Sequence, residues 1–138
     1  MDAELGRSFH DLVREQGWLP FRELEYRVCK RLAARTGVVV ALGGGTVRYE
    51  WNRDVLRGTG AIVLLEADLA TLAARVREAD RPRVHAGATL EEDLARIWQT
   101  SAPLYRDGAR LVHRTDTGRD VDAETEALLA AVRAAGMI

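Results

Sequence analysis

The sequence predicts an α/β domain in three layers, with a largely parallel sheet between flanking helices. Two segments, VVVAL at 38–42 and AIVLLE at 61–66, are apolar on both faces, as is typical of strands buried in a parallel sheet. A third segment, RLVHRT at 110–115, alternates apolar and polar residues as a strand does. Helical patterns separate these segments and no repeat or linker interrupts them, so we expect one domain over residues 1–138.

Two helices are predicted before the first strand. The segment 6–16 has an apolar stripe with Ser8 as its N-cap and ends at Gly17. The segment 21–35 follows Pro20, and its apolar residues recur every three or four positions, which places them on one helix face: Phe21, Leu24, Val28 and Leu32.

Four more helices are predicted along the rest of the chain. A short one covers roughly 50–57, and a second, at 68–78, is capped by Asp68. A third, at 89–101, begins with Thr89 and carries Glu92 three residues on, which is a capping box. The last, at 120–135, is closed by Gly136, and an arginine-rich polar loop is expected at 79–88.

Composition excludes several classes of protein. The chain has 20 basic and 21 acidic residues, and a net charge of −1 gives no reason to expect nucleic acid or an anionic membrane as a partner. The single cysteine, Cys29, excludes an internal disulfide and is expected to be a packed thiol. No apolar run is long enough to span a membrane, and the acidic start is unlike a signal peptide, so a cytoplasmic location is expected. The three histidines have no ligand-like spacing, so no metal site is predicted.

Three motifs are candidates for function, each with a plainer alternative. The triple glycine Gly43, Gly44 and Gly45 ends the first strand and is either a tight turn or a place where bare backbone meets a ligand. Arg22 and Glu25 lie three residues apart on one helix face, as a surface pair or as an arginine held ready for an anion. The segment RVREADRPR, 75–83, is either a solvated loop or a lid that closes arginines over phosphates.

These motifs, in this order, resemble those of shikimate kinase. The resemblance runs through GRSFHDLVREQGWLPFRELE, ALGGGTV, ADRPR, APLY and LVHRTDT, and it covers nearly the whole chain. It implies a P-loop kinase fold and transfer of the γ-phosphoryl group of ATP, with magnesium, to the 3-hydroxyl of shikimate.

The resemblance also implies roles for individual residues. Arg22 would grip the shikimate carboxylate, Glu25 would hold Arg22, and the backbone of the three glycines would line the shikimate pocket. Arg81 would reach the transferring phosphate, and Arg75 would lie near the nucleotide. Asp2 would correspond to an aspartate that contacts the shikimate hydroxyls.

The sequence departs from the family in two respects that matter for activity. The family opens with a central buried strand and a Walker A loop, and these 138 residues contain neither. The family also has a second carboxylate-binding arginine two residues before Pro-Leu-Tyr, where this chain has Ser101. A neutral hydroxyl in place of a charged contact loses about 1.5–3 kcal/mol.

Three interpretations follow. The chain is a shikimate kinase without its N-terminal part, a degenerate homologue that binds a small anion or serves in an assembly, or another small-molecule kinase of the same fold. In each case we expect the 138 residues by themselves not to turn over ATP.

Overall fold

A computed structural model describes residues 5–77, 85 and 87–138, which form two compact units, one up to Gly60 and one from Ala61 onward. The first unit contains helices α1 (Phe9–Gln16), α2 (Trp18–Ala33) and α3 (Glu50–Arg57), with a 3₁₀ turn at Thr46–Arg48. The second contains β1 (Val63–Glu66), α4 (Leu69–Arg77), α5 (Leu90–Gly108), β2 (Leu111–Arg114) and α6 (Val121–Ala134).

Helices α1 and α2 begin and end where local chemistry places their caps. The Ser8 side chain accepts a hydrogen bond from the His10 N–H, and Gly17, with a φ of 80°, ends α1 and leads directly into α2. Helix α2 starts three residues earlier than predicted, because Pro20 lies in its first turn, where a backbone N–H has no helical partner in any case.

The core of the first unit lies between α1 and α2. Leu12, Phe21 and Leu24 are buried, and four partly buried side chains pack around them: Leu5, Phe9, Val13 and Val28. Burial of each large apolar side chain contributes about 1.5–3 kcal/mol. The predicted apolar stripe of α2 therefore includes the face that packs on α1, and Glu25, next to this face, contacts the 3₁₀ turn and α3.

The prediction of a buried strand at 38–42 is wrong. The segment forms no strand among the described residues, and Val39 is fully exposed while Val38 is about half exposed. A strand requires a neighbour for its N–H and C=O groups, and no described segment of the first unit pairs with this one. Apolar character alone predicted burial here without regard to whether a partner strand is available.

The second unit contains a parallel pair of strands, as the sequence predicts. β1 and β2 align from Val63 with Leu111 to Glu66 with Arg114, and hydrogen bonds at Arg110 and Thr115 extend the ladder at both ends. Helices α4 and α5 pack on each other within the crossover connection that parallel strands require. Asp68 caps α4 as expected, since the Thr71 N–H donates to its carboxylate at 2.7 Å.

Helix α5 is longer than predicted. Its capping box is present as expected, with reciprocal bonds between Thr89 and Glu92, but the helix continues through Pro103 to Gly108 instead of ending at 101. Proline removes one backbone donor, yet the Trp98 and Tyr105 rings contact each other across it at 6.2 Å. The helix therefore accommodates a proline in its interior.

Candidate functional site

The candidate site is centred on Arg22, which α2 presents toward the turn after the triple glycine. Its Nη1 donates to Glu25 Oε2 at 2.9 Å, and the exposed fractions of the two side chains are 15% and 6%. The spacing of three residues brings the pair together on one helix face, as the sequence predicts. Burial excludes the surface-pair alternative, because a solvated pair would leave both side chains exposed.

Two residues that sequence reasoning missed complete the surroundings of Glu25. The Thr46 hydroxyl donates to Oε1 at 2.9 Å, and Asn52 Nδ2 donates to Oε2 at 3.2 Å. Asn52 also donates to the Thr46 carbonyl at 2.9 Å and has no exposed surface. Thr46 could have been suspected from its position directly after the glycines, whereas the sequence around Asn52 carries no signal of this role.

The backbone of the triple glycine approaches the Arg22 side chain closely at Gly45. A Cβ built at Gly45 would lie 3.0 Å from Arg22 Nη1 and 3.1 Å from Nη2, so a side chain there would displace the guanidinium. At Gly43 the same atom would meet only Thr46 Oγ1, at an ordinary 3.7 Å. Neither glycine has a positive φ, so Gly45 is required for space and not for backbone conformation.

Aromatic rings surround the guanidinium. The Arg22 Cζ atom lies 4.8 Å from the ring centroids of Phe21 and Tyr49 and 5.1 Å from that of Trp18. Such contacts hold a cation while removing part of its hydration shell, which strengthens its interaction with an incoming anion. Trp18 is 43% exposed, so its fluorescence can report on a ligand that binds beside Arg22.

A second arginine of the first unit, Arg53, is buried. Its Nη1 donates to the Val47 carbonyl at 2.9 Å, and among the described residues its side chain has no carboxylate partner. Of Arg22 and Arg53, only Arg22 has a carboxylate partner, Glu25, in the part of the chain that the structure describes. Since buried charges are normally paired, the guanidinium of Arg53 favours an anion nearby.

The second unit places Arg75 at the end of the strand pair. Its guanidinium donates to the Thr115 hydroxyl at 2.9 Å and to the Thr115 carbonyl at 2.7 Å, which joins α4 to the residue after β2. The carboxyl ends of parallel strands are the usual location of ligands in open α/β sheets. The nucleotide role of Arg75 stays a prediction.

Ser101 is buried in the middle of α5. Its side chain is 1% exposed, and its hydroxyl has no hydrogen-bond partner among the residues that the structure describes. The two other predicted site residues, Asp2 and Arg81, lie outside the described residues.

Cys29 is a packed thiol, as predicted. It is 2% exposed, and burial, together with the nearby Glu25 carboxylate, raises its pKa to about 11. A thiol of this kind is protonated at neutral pH and is a poor nucleophile.

The positions of possible metal ligands and of the one lysine bear on the expected ATP site. Within residues 5–77, 85 and 87–138, no three carboxylate, histidine or cysteine side chains gather as metal ligands. The one lysine of the sequence, Lys30, lies within α2 and not after a glycine-rich loop at a helix start.

No helix among the described residues is both long and apolar enough to cross a bilayer.

The fold and this site together define an α/β protein with an arginine held in place by a buried carboxylate. Comparison with known proteins then gives the family. The family model described as shikimate kinase matches residues 1–132, and the chain belongs to the shikimate kinase family.

Individual shikimate kinases are similar to this chain in sequence and in structure. The shikimate kinase of Chlorobium luteolum is 34% identical over 127 residues, 86% of this chain, and that of Nitratidesulfovibrio vulgaris is 38% identical over 115 residues, 80% of this chain. Shikimate kinase from Acinetobacter baumannii, solved in complex with shikimate, superposes with a TM-score of 0.83 over 96% of this chain and 74% of its own, at 26% identity. The chain spans only 62% and 65% of the lengths of the first two relatives.

Proposed function

We propose that this chain carries the acceptor-binding part of a shikimate kinase, an enzyme that transfers the γ-phosphoryl group of ATP to the 3-hydroxyl of shikimate. The observation that carries the proposal is Arg22, held by the buried Glu25 against the bare backbone of Gly45. The similar A. baumannii structure is described as a complex with shikimate, which supports the same acceptor here.

The chemistry of the site suits a carboxylate. The Arg22 side chain is partly exposed, and Glu25 takes one of its five N–H donors, so its remaining donors can pair with the two oxygens of a carboxylate. The surrounding rings and the uncompensated charge of Arg53 strengthen attraction for an anion. We propose that Gly43, Gly44 and Gly45 form the floor of this pocket.

The transfer step needs groups in addition to the Arg22 site. The resemblance assigns Asp2 to the acceptor hydroxyls, Arg81 to the transferring phosphate and Arg75 to the nucleotide, and ATP with magnesium would require a phosphate-binding loop in addition. We therefore propose that the 138-residue chain binds shikimate but does not turn over ATP.

Two measurements test this proposal. Shikimate should raise the melting temperature of the chain, because a ligand that binds only the folded state stabilises it by about 2.7 kcal/mol at a hundred times its Kd. Arg22→Met should abolish this shift, whereas Arg27→Met, an exposed arginine on the same helix, should retain it. A coupled assay should show no shikimate-dependent ADP formation, and turnover clearly above background would contradict the second part of the proposal.

A second candidate function is a non-catalytic homologue that binds a small anion or joins an assembly. Ser101 favours this alternative, because it replaces a charged contact of the family with a neutral and fully buried group. Absence of any shikimate-dependent shift in the wild-type chain, together with absence of turnover, would select it.

A further inference from the structure

The carboxylate of Glu25 is fixed by three donors from three different elements. Its Oε2 accepts from Arg22 in α2 and from Asn52 in α3, and its Oε1 accepts from Thr46 in the 3₁₀ turn. A carboxylate has about four lone-pair positions, so the three donors leave little freedom to rotate. The orientation of Glu25 is therefore set by Thr46 and Asn52, which follow it in the sequence by 21 and 27 positions.

Hydrogen bonds from Thr46 and Asn52 offset part of the free-energy cost of burying Glu25. A buried ion pair is net favourable only when its remaining lone pairs are also satisfied, since the two charges lose their hydration. Without the Thr46 hydroxyl, Oε1 would lose the only hydrogen bond that the described residues show for it. Glu25 would then turn toward another donor or toward water, and Arg22 would move with it.

Asn52 also fixes the turn that carries Thr46. Its Nδ2 bonds both to Glu25 and to the Thr46 carbonyl, and the adjacent Arg53 bonds the Val47 carbonyl. Two neighbouring side chains of α3 thus hold two consecutive carbonyls of the turn. This arrangement keeps the backbone of Gly45 against the Arg22 guanidinium.

We infer that Thr46 and Asn52 are positioning residues for Arg22, acting through Glu25, and that they set the affinity for the acceptor carboxylate without contacting it. The inference rests on the proposed function only in naming the acceptor as a carboxylate. Its structural part, that these two residues immobilise the Arg22 guanidinium, stands apart from what the protein binds.

The first test replaces Thr46 in a matched pair. Thr46→Val keeps the shape of the side chain and removes the hydroxyl, whereas Thr46→Ser keeps the hydroxyl. NMR of ¹⁵N-labelled arginine in the ligand-free full chain measures rotation of the Arg22 guanidinium about its Cζ–Nε bond. We expect slow rotation in the wild type and Thr46→Ser, and rotation at least severalfold faster in Thr46→Val; equal rates in all three would overturn the inference.

The second test measures shikimate affinity by Trp18 fluorescence. Thr46→Val should weaken binding about three- to tenfold, and Thr46→Ser should stay within about twofold of the wild type. Equal affinity of Thr46→Val and wild type would contradict the inference. If the wild type itself does not bind shikimate, the proposed function fails, while the rotation measurement still decides the role of Thr46 and Asn52.

A second variant guards against misfolding. Asn52→Leu is of similar volume and removes both Nδ2 hydrogen bonds, so its melting temperature should fall, and rotation is measured at a temperature where the variant is still folded. Faster Arg22 rotation in the folded variant would support a positioning role. Unchanged rotation in folded Asn52→Leu would count against the inference.

Discussion

Gly45 shows how one residue of a repeated motif differs from its neighbours. Three consecutive glycines suggest a common role, yet a hypothetical Cβ lies 3.0 Å from the Arg22 guanidinium at Gly45 and meets only Thr46 at Gly43. The spacing of Arg22 and Glu25 predicted their pairing because a helix brings residues three apart together. The contacts of Thr46 and Asn52 could not be predicted this way, since they depend on how α2, the turn and α3 pack.

Substitution of Gly45 should weaken shikimate binding. Gly45→Ala must displace the guanidinium by a few tenths of an ångström, so shikimate affinity should fall about five- to tenfold by fluorescence titration. Gly58→Ala, outside the motif, is the control, because its Cβ meets no atom within 4 Å, and its affinity should stay near that of the wild type. Equal losses in both variants would mean that Arg22 is not held against Gly45.

The thiol of Cys29 should be nearly unreactive in the folded chain. With a pKa raised to about 11 by burial, only about one thiol in a thousand is ionised at pH 8, and access is blocked as well. Labelling with a thiol-specific disulfide reagent should therefore be slow in buffer and rapid in denaturant. Fast labelling of the native chain would show that α2 does not pack as described.

Elements were predicted well where local signals suffice and poorly where they do not. The caps at Ser8, Asp68 and Thr89 were correct because each depends on a few neighbouring residues. The segment 38–42 was wrongly predicted as a buried strand, since strand formation depends on a partner that local sequence does not specify. Helix α5 continues through Pro103, which the usual effect of proline on a helix does not predict.

The Asp116 carboxylate, just after β2, makes the folding stability depend on pH. Asp116 accepts hydrogen bonds from the Arg114 side chain and from the Asp68 N–H, and these contacts hold its pKa well below the ordinary 3.8. A lowered pKa in the folded state means that the stabilisation is present above pH 3.8 and is lost as the pH falls below it.

Removal of this carboxylate should reduce the loss of folding stability that occurs as the pH falls into the acidic range. Asp116→Asn should lower the urea midpoint at pH 7, and its midpoint should change less than that of the wild type between pH 4 and pH 2.5. Asp122→Asn, an exposed position on α6, serves as the control and should follow the wild type. If the urea midpoint of Asp116→Asn falls between pH 4 and pH 2.5 as much as that of the wild type, Asp116 is not a source of the pH dependence.

For the whole molecule, the sequence predicted the fold class and the family, and the structure and comparisons confirm both. Strands alternating with helices predicted a parallel arrangement, and β1 and β2 are parallel. The ordered motifs resemble shikimate kinase, and the family model and solved relatives agree. Whether residues 1–138 form one domain stays a prediction, as do the roles of Asp2, Arg75, Arg81 and Ser101.

The central claim is that Arg22 binds the carboxylate of the acceptor. Isothermal titration of the wild-type chain with shikimate and with its methyl ester tests it most directly, because the ester keeps the ring and hydroxyls and loses only the charge. The account predicts that the ester binds about ten- to a hundredfold more weakly, the value of one charge-assisted contact. Equal binding of the two compounds would contradict it.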